Sequence, residues 1–579
     1  MSESVVFSRR DFLKLVGVGV AGAAAGCAKP PADKLYPYLV APEDILPGVP
    51  YFYASTCREC PVGCGITVRA REGRAIKIEG NPKHPVNQGG LCARGQSGLQ
   101  GLYDPDRVKS PMVRNGSAWK PATWDEALAI VGQKLDAAKG KALLLTGLET
   151  GSTRALVSEW SAAAGVRHVM WEPFAYESVR AANLKTFGLA AVPRYAFENA
   201  RCVISFGADF LETFGQPVSQ ARGFAAMRAK HDDGAGHFIA VEPRLSLTGA
   251  NADEWVAVKP GTEIAFALGL AHVMLAENLG AAVGERGALQ AAVAAFTPEA
   301  VAQQTDVKAE DLTRIAKLFA AAKGKSVAVA GGLATQGANG TALVAAVNLL
   351  NYVAGNVGNT VLFDRPLNLD GLASFAEFTA LVKQMGEGAF DVAFVHGTNP
   401  AYATPAWAGF ADAFAKVGFK VSLSGVLDET TALCDMILPS THALETWGDA
   451  QSAKGVWSIQ QPAMRPLPMF DARPMGDTLI ALATAAGITG GWGATAFDDL
   501  QARWKAMHAR FGAGRSFDQF WIDTLKEGGV WEAAANTSVS WAGTPAFAAP
   551  AAAEGDFALL VTPSNNFYDG RGANKPWLQ

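Results

Sequence analysis

The stretch CRECPVGC, residues 57–64, contains Cys57, Cys60 and Cys64, and GGLCARG supplies a fourth cysteine at Cys92. A structural zinc site normally takes its ligands as two close pairs, whereas this pattern is a triplet plus one. A c-type haem needs a histidine directly after C-x-x-C, and a proline stands there. Two disulfides suit an exported protein but do not explain three thiols in one tight loop. The spacing therefore favours an iron–sulfur cluster over zinc or disulfides.

The loop glycines and two further cysteines agree with this interpretation. Gly63 and Gly65 are expected to let the backbone turn around a bulky ligand. Cys202 in RCVISFG and Cys434 in TALCDMILP are single residues in apolar segments, the usual setting of a buried, unreactive thiol.

Composition limits the class of protein. A chain of 579 residues with 49% hydrophobic content is too large for one core, so several packed domains are expected. The formal net charge is −4, and no run of Lys and Arg suggests a basic face, so nucleic acid is not an expected partner. Beyond the N-terminus, no segment reaches the roughly 18 apolar residues of a membrane helix.

The N-terminus has the features of an export signal. In SRRDFLKLVGVGVAGAAAGCAKPP, Arg9 and Arg10 precede a short apolar run, small residues and a Pro-containing segment. This order is typical of a twin-arginine signal, so we interpret residues 1–27 as a targeting segment. The expected location is the periplasmic side of the bacterial inner membrane, as a peripheral protein, with Cys27 as a candidate lipid anchor.

Six short aliphatic runs end in turn residues and lead into helix-like stretches: KALLLTGLET, CVISFGADF, HFIAVEPRLS, SVAVAGGLATQG, DVAFVHGTNP and FKVSLSGVLDE. This alternation of strand, turn and helix predicts an α/β fold with doubly wound parallel sheets. Ligands of such sheets bind beyond the carboxyl ends of the strands. His396 and Asn399 in VHGTNP are the polar candidates there, although packing or turn roles fit them equally well. His272 and Asn351 lie on apolar helices, where a structural hydrogen bond is the usual role.

The cysteine loop and the sequence that follows it, VRAREGRAIKIEGNPKHPVNQGGLCARGQSGLQGLYDPDRVKSP, resemble the N-terminal iron–sulfur domain of the molybdopterin oxidoreductases, the dimethyl sulfoxide reductase superfamily. The resemblance continues through VEPRLSLTGANADEWVAVKPGTEIAFALGLAHV and CDMILPSTHALETWGDAQSAKG, and so covers about residues 50–480. It implies a multi-domain α/β fold that grips two pterin guanine dinucleotides. It also implies a [4Fe-4S] cluster on the four cysteines, with Arg94 between cluster and pterin.

One position departs from the family pattern. In these enzymes a Cys, selenocysteine, Ser or Asp side chain usually binds molybdenum, about a dozen residues before an FG that ends a helix. The matching stretch is VMWEPFAYESVRAANLKTFG, in which counting back from the FG places Ala175 at the ligand position. An alanine methyl has no lone pair for a metal, and Glu177 and Ser178 are the nearest alternatives. Because of this departure we expect molybdenum and pterin to be absent and the chain to have no catalytic residue of its own.

Within the superfamily, YPYLVAPEDILPGVPYFYASTCRECPVGCG, LYDPDRVKSP and FYDGRGANKPWLQ resemble the large iron–sulfur subunit of bacterial alternative complex III. This implies an electron-transfer or scaffold subunit of a membrane-associated respiratory quinol:electron-acceptor oxidoreductase. The implied partners are a polytopic quinol-binding membrane subunit, a ferredoxin-like iron–sulfur module and a multihaem cytochrome c subunit. Two alternatives remain: an active molybdopterin-dependent reductase of the polysulfide, thiosulfate or tetrathionate type, and a chain whose cysteines are relict.

Six segments are predicted along the chain from composition and resemblance together. They are the signal segment 1–27, an N-terminal arm with the iron–sulfur domain 28–115, an α/β region 116–365, a second α/β region 366–490, a helical segment with an Ala/Pro-rich linker 491–554, and the start of a truncated C-terminal domain 555–579.

Overall fold

The computed structural model describes residues 46–229, 234–543, 546–547 and 557–579. The predicted signal segment 1–27 and Cys27 lie outside these ranges. Pro50–Gln579 form one unit by their internal contacts, and the architecture below is that of this unit. Among the described residues, no helix combines the length and the apolar character that a membrane span requires.

A small antiparallel sheet carries the cysteine loop. Its strands are Tyr51–Thr56, Gly65–Arg71 and Arg74–Gly80, and CRECPVGC connects the first two. Ile66, Val68 and Ala70 alternate along the middle strand and are all buried, as expected for a sheet with one face on a core. The register therefore fixes both ends of the cysteine loop.

The larger of two parallel sheets has seven strands. Its central strands Ala142–Thr146 and Val392–His396 are parallel neighbours, so the chain leaves this sheet after Val166–Met170 and returns to it more than 200 residues later. In spatial order the strands are Ala118–Pro121, Met112–Asn115, Met436–Ile437, Phe419–Ser422, Val392–His396, Ala142–Thr146 and Val166–Met170. The first two are antiparallel to their neighbours and the others are parallel.

Helices cover both faces of this sheet. Leu144 belongs to a core with side chains of helices Trp124–Ala138 and Met475–Ala485, whereas Leu143 and Leu145 belong to a separate core with helix Phe375–Gly386. Adjacent residues of one strand thus contact different helical layers, which explains why the strand is apolar at every position. This confirms the predicted doubly wound α/β architecture.

The second parallel sheet is inserted between the two halves of the first. Its strand order is Glu254–Val256, His237–Val241, Cys202–Phe206 and Ser326–Ala330, so three of the predicted aliphatic runs form adjacent strands. The short strands Arg194–Tyr195 and Val361–Leu362 pair with each other in antiparallel orientation. An antiparallel sheet of Gly448–Ala453, Val456–Gln460 and Gly529–Trp531 completes the strands.

The α-helices of the described residues connect and cover these sheets. They are Ala93–Gln96, Gly98–Leu102, Trp124–Ala138, Gly151–Ala164, Glu177–Phe187, Pro217–Arg228, Glu263–Ala276, Arg286–Val293, Pro298–Thr305, Ala309–Ala321, Gly340–Val353, Phe375–Gly386, Pro400–Ala403, Phe410–Phe414, Met475–Ala485, Ala496–Phe511 and Phe517–Glu527.

Two stretches without regular structure lie against the folded body. Trp541, in the predicted linker, stacks on Tyr352 with ring centroids 4.9 Å apart. The last residues of the chain, 564–579, return to the region of the cysteine loop, where Lys575 pairs with Glu59. Both contacts join segments that are remote in sequence.

Candidate iron–sulfur site

The four cysteines that the sequence singles out share one place in the fold. The Cys57 amide donates to the Cys64 carbonyl oxygen at 2.8 Å, which closes the loop at its base. Cys57 and Cys64 are buried, while Cys60 and Cys92 are partly buried, and all are free thiols. Burial raises the pKa of the Cys57 thiol well above its usual value, and Glu59 and the other three thiols, whose charges lie close by, raise it further. The three loop thiols and Cys92 are therefore close enough to act on one another electrostatically.

The sequence spacing of the four cysteines favours a cluster over a single metal ion. In the described ranges, no three His, Cys, Asp or Glu side chains are gathered tightly enough to hold one ion. A zinc ion would need its sulfurs at about 2.3 Å. An iron–sulfur cluster instead places several irons and sulfides between more widely spaced thiolates. The six described cysteines form no disulfide with one another, so the disulfide alternative finds no support among them.

Glycine is favoured at Gly63 and at Gly65 for different structural reasons. Gly63 has φ +60°, a left-handed conformation that favours glycine, as expected for a tight turn. Gly65 lies in a strand, and a Cβ there would stand 2.5 Å from the His84 ring. The expectation that Gly65 makes room for a ligand is therefore not what the structure shows, since its missing side chain makes room for His84.

Arg94 lies between the thiols and the C-terminal residues. Its side chain is buried, and Nη1 donates to the Asn565 carbonyl oxygen at 2.5 Å. Burial opposes its positive charge, but the nearby Cys60 and Cys92 outweigh this and keep the pKa of the guanidinium above its ordinary value. Nε is buried without a hydrogen-bond partner. Arg94 is thus a buried cation beside the thiols, and its role toward a cofactor stays a prediction.

Tyr568 packs against Arg94 from the opposite side. The Arg94 guanidinium lies 5.1 Å from the Tyr568 ring centroid, and the Phe174 ring lies 4.7 Å from it in an edge-to-face arrangement. Burial raises the pKa of the Tyr176 hydroxyl to about 12, while a hydrogen bond with Tyr568 opposes this rise. Tyr568 therefore stands between the cysteine loop and the loop that contains Ala175.

The Ala175 loop offers no free metal ligand. Ala175 is buried and has no donor atom. Glu177 accepts the Phe375 amide hydrogen at 2.7 Å, and the Ser178 hydroxyl donates to the Thr335 carbonyl oxygen at 3.2 Å. The two residues considered as substitutes are therefore engaged in hydrogen bonds within the protein.

A cavity of about 250 Å³ lies beside the cysteine loop, at the carboxyl ends of strands Ala142–Thr146 and Val392–His396. Its lining includes Cys60, Glu149 and His396. The His396 Nδ1–H donates to the Leu423 carbonyl oxygen at 3.0 Å, and Nε2 is 4.0 Å from Glu149 Oε1. The predicted strand-end location of His396 is confirmed, and its side chain borders the cavity.

Other polar candidates have structural roles. The Asn399 amide donates to Glu429 at 2.6 Å and its oxygen accepts from the Thr430 hydroxyl at 2.7 Å, which joins two loops. Asn351 bonds the backbone of Ala328 through both amide atoms, and His272 bonds the Val293 carbonyl oxygen. The predicted structural roles of His272 and Asn351 are confirmed.

Cys202 and Cys434 are buried, as predicted. Burial raises the pKa of the Cys202 thiol to about 12, with a smaller contribution from Glu254, which makes the reactive thiolate scarce at neutral pH.

Sequence reasoning missed three residues of the site, namely Tyr568, Arg571 and Glu172. Arg571 donates to Glu172 at 2.7 Å and to Asp569 at 2.5 Å. The stretch FYDGRGANKPWLQ carried a resemblance, but no local periodicity could indicate which part of the fold it contacts. Only the three-dimensional structure shows that this stretch contacts Glu172 and Arg94.

Two family models match the chain. Residues 107–485 match molybdopterin oxidoreductase, and residues 51–104 match the molybdopterin oxidoreductase Fe4S4 domain. The second match supports a [4Fe-4S] cluster in the region that holds the four cysteines. The identity of its ligands stays a prediction from spacing and geometry.

Similar proteins include several oxidoreductase subunits. The menaquinone reductase molybdopterin-binding-like subunit of Nitratidesulfovibrio vulgaris is 31% identical over 546 residues, which cover 89% of this chain and 76% of that protein. The molybdopterin-containing subunit of thiosulfate reductase from Salmonella typhimurium is 28% identical, over 60% of this chain and 46% of its own length. The chain thus spans about three quarters of the first relative and less than half of the second.

The fold also matches a solved structure. Acetylene hydratase from Pelobacter acetylenicus superposes with a TM-score of 0.60 over 75% of this chain and 69% of its own, at 16% identity. At this identity the likeness concerns the fold alone.

Proposed function

This chain belongs to the molybdopterin oxidoreductase family, and we propose that it serves as an electron-transfer or scaffold subunit without a molybdenum centre of its own. The observation that carries the proposal is the contrast between two loops. The cysteine loop and Cys92 keep four free thiols, whereas Ala175 has no donor atom and Glu177 and Ser178 are hydrogen-bonded within the protein. An ancestral electron-entry site is thus retained beside a catalytic site that lacks its ligand.

Cofactor chemistry would be confined to the cysteine loop. Cys57, Cys60, Cys64 and Cys92 would hold a [4Fe-4S] cluster, which supplies one-electron transfer when bound. Arg94 places a buried positive charge beside Cys60 and Cys92. The surrounding apolar side chains, such as Ile66 and Leu99, exclude water from this region. These residues hold the site and set its polarity.

The space for a pterin is small. The cavity beside Cys60 measures about 250 Å³, below the roughly 300–1,000 Å³ of typical small-molecule sites. Two pterin guanine dinucleotides are larger than typical small molecules. We propose that pterin is absent along with molybdenum, and pterin fluorescence of the purified chain tests this.

We infer that the assembly is a respiratory, quinol-linked complex of the alternative complex III type. The similarity to the menaquinone reductase subunit, which covers 89% of this chain, supports this inference. The stretches that resemble alternative complex III support it as well. The proposed partners are a polytopic quinol-binding membrane subunit, a ferredoxin-like iron–sulfur module and a multihaem cytochrome c. The proposed location is the periplasmic face of the inner membrane, reached through the twin-arginine signal.

Metal and pterin analysis of the purified full chain tests the proposal. Protein from molybdenum-replete cells should contain about four irons and four acid-labile sulfides per chain, with no molybdenum, tungsten or oxidised pterin fluorescence. Stoichiometric molybdenum or tungsten with pterin would overturn the proposal and favour an active reductase. Purification from solubilised membranes, followed by mass spectrometry, tests the assembly. Recovery without a membrane subunit or cytochrome would contradict it.

A further inference from the structure

We propose that residues 565–571 form a built-in seal over the cysteine loop, in which the Tyr568 ring fills the space between Cys60 and the Ala175 loop. The inference rests on the proposed function in one respect, since it assigns the cysteines a cluster to protect. Tyr568 and Arg571 are in this view positioning residues, which shape the surroundings of the cluster without binding it. We name residues 565–571 the seal.

The centre of the seal is the ring of Tyr568, which is only 6% exposed. Three neighbours enclose it: the Arg94 guanidinium at 5.1 Å, the Phe174 ring at 4.7 Å and the Arg571 guanidinium at 5.4 Å from the ring centroid. Two cations near the ring and an edge-to-face aromatic contact favour one fixed ring position. The ring therefore occupies this space as a ligand would.

Polar contacts attach the seal to the cysteine side of the site. Arg94 donates to the Asn565 carbonyl oxygen at 2.5 Å, at the first residue of the seal. Just beyond the seal, the buried Lys575 ammonium pairs with Glu59, which lies between Cys57 and Cys60. The Asn574 amide also donates to Asp104 at 2.6 Å. These contacts hold both ends of the seal to the iron–sulfur region.

The opposite side of the seal is attached to the Ala175 loop. Arg571 donates to the buried Glu172 carboxylate at 2.7 Å, three residues before Ala175. Burial raises the pKa of Glu172, and the Arg571 charge counters the rise. The Glu172 side chain is 4% exposed and that of Arg571 25%, so separating the pair would leave the buried carboxylate without its counter-charge. The seal thus connects the two loops between which a cofactor would lie.

On its outer surface, the seal packs against Tyr402 at Gly570. Gly570 has φ +100°, and a Cβ there would stand 2.5 Å from the Tyr402 ring. Glycine is therefore required for Tyr402 to pack directly on the seal backbone. A cluster beneath this cover would exchange electrons through protein rather than meet a dissolved substrate.

Iron release from the full-length protein tests the seal. With an excess ferrous chelator under anaerobic conditions, Tyr568→Ala should release iron about tenfold faster than the wild type, because local opening is no longer needed. Tyr568→Phe keeps the ring and should stay within about twofold of the wild type. Tyr195→Ala is the matched control, because Tyr195 is also 6% exposed and no thiol acts on it. If Tyr568→Ala does not fold, Lys575→Gln is the second test variant. It removes the contact with Glu59 and should also loosen the seal and speed iron release.

The outcomes separate the seal from the proposed function. Iron release that is equally fast in Tyr568→Ala and Tyr195→Ala, or unchanged in Lys575→Gln, would overturn the seal. A wild-type protein without iron and acid-labile sulfide would refute the cluster instead. In that case the rate at which iodoacetamide alkylates Cys60 replaces iron release in the same variants. Faster alkylation in Tyr568→Ala alone supports the seal, and equal rates overturn it.

Discussion

Arg571 donates to Glu172 at 2.7 Å, although 399 residues separate them in the sequence. Glu172 follows a strand of the seven-stranded sheet, and its other oxygen accepts the Leu148 amide hydrogen at 2.9 Å. One carboxylate therefore joins the ends of two neighbouring strands to the last part of the chain. The position that the resemblance assigns to a metal ligand lies within this connected region.

Replacing one loop cysteine should remove iron without unfolding the protein. In Cys60→Ser, we expect loss of most acid-labile sulfide and iron, because a hydroxyl is a poor ligand for these irons. Cys434→Ser is the matched control, since the Cys434 thiol already donates to the Thr430 carbonyl oxygen and a serine hydroxyl can keep that bond. Iron analysis and electron paramagnetic resonance after dithionite reduction measure both. Equal iron in the two variants would contradict the assigned ligands.

Restoring a thiol at the family's ligand position should not restore molybdenum. In Ala175→Cys, the added sulfur enters a buried position beside residues that already pack on Tyr568, so we expect a modest destabilisation of about 1–3 kcal/mol. Elemental analysis of protein from molybdenum-replete cells should find iron only. Stoichiometric molybdenum in this variant, with none in the wild type, would show that the ligand alone was missing.

The ion pair of Arg107 and Glu445 should be a major contributor to stability. Their side chains are 4% and 1% exposed and lie 2.7 Å apart, linking the iron–sulfur region to the second half of the fold. Arg107→Met leaves a buried carboxylate unpaired and should lower the free energy of unfolding by about 3–5 kcal/mol.

The control for that prediction is Lys83→Met, whose partner Glu527 lies 2.6 Å away but at the surface. The expected loss is at most about 1 kcal/mol, since exposed pairs contribute little. Urea denaturation measures both variants, and similar losses would show that burial does not decide the effect.

Glu263 should make stability depend on pH. Burial raises its pKa from 4.5 to about 7 in the folded chain. Between these values the unfolded chain releases its proton first, so the free energy of unfolding falls as pH rises from about 4.5 to 7. Glu263→Gln keeps the shape but not the charge, and should flatten this part of the profile. Urea midpoints at pH 5 and pH 8 measure the effect, and an unchanged difference between them would assign the slope to other groups.

Local patterns in the sequence were sufficient for the strands. Leu143, Leu144 and Leu145 contact helices on alternating faces, so a strand buried on both faces reads as a continuous apolar run. The cysteine spacing likewise belongs to one loop. In contrast, Tyr568 contacts Arg94 and Phe174, which are remote from it in the sequence. No local sequence pattern predicts such contacts. Gly65 shows a related limit, because the need for glycine there comes from His84, a residue on another segment.

The seal also has a consequence for the order of assembly. The cysteine loop is made early on the ribosome, whereas Asn565, which accepts from Arg94, follows it by 471 residues. During synthesis the thiols therefore lack this cover until residues 565–571 have been made. We expect iron and sulfide to enter most readily before residues 565–571 dock. Later repair of a lost cluster would first require these residues to detach.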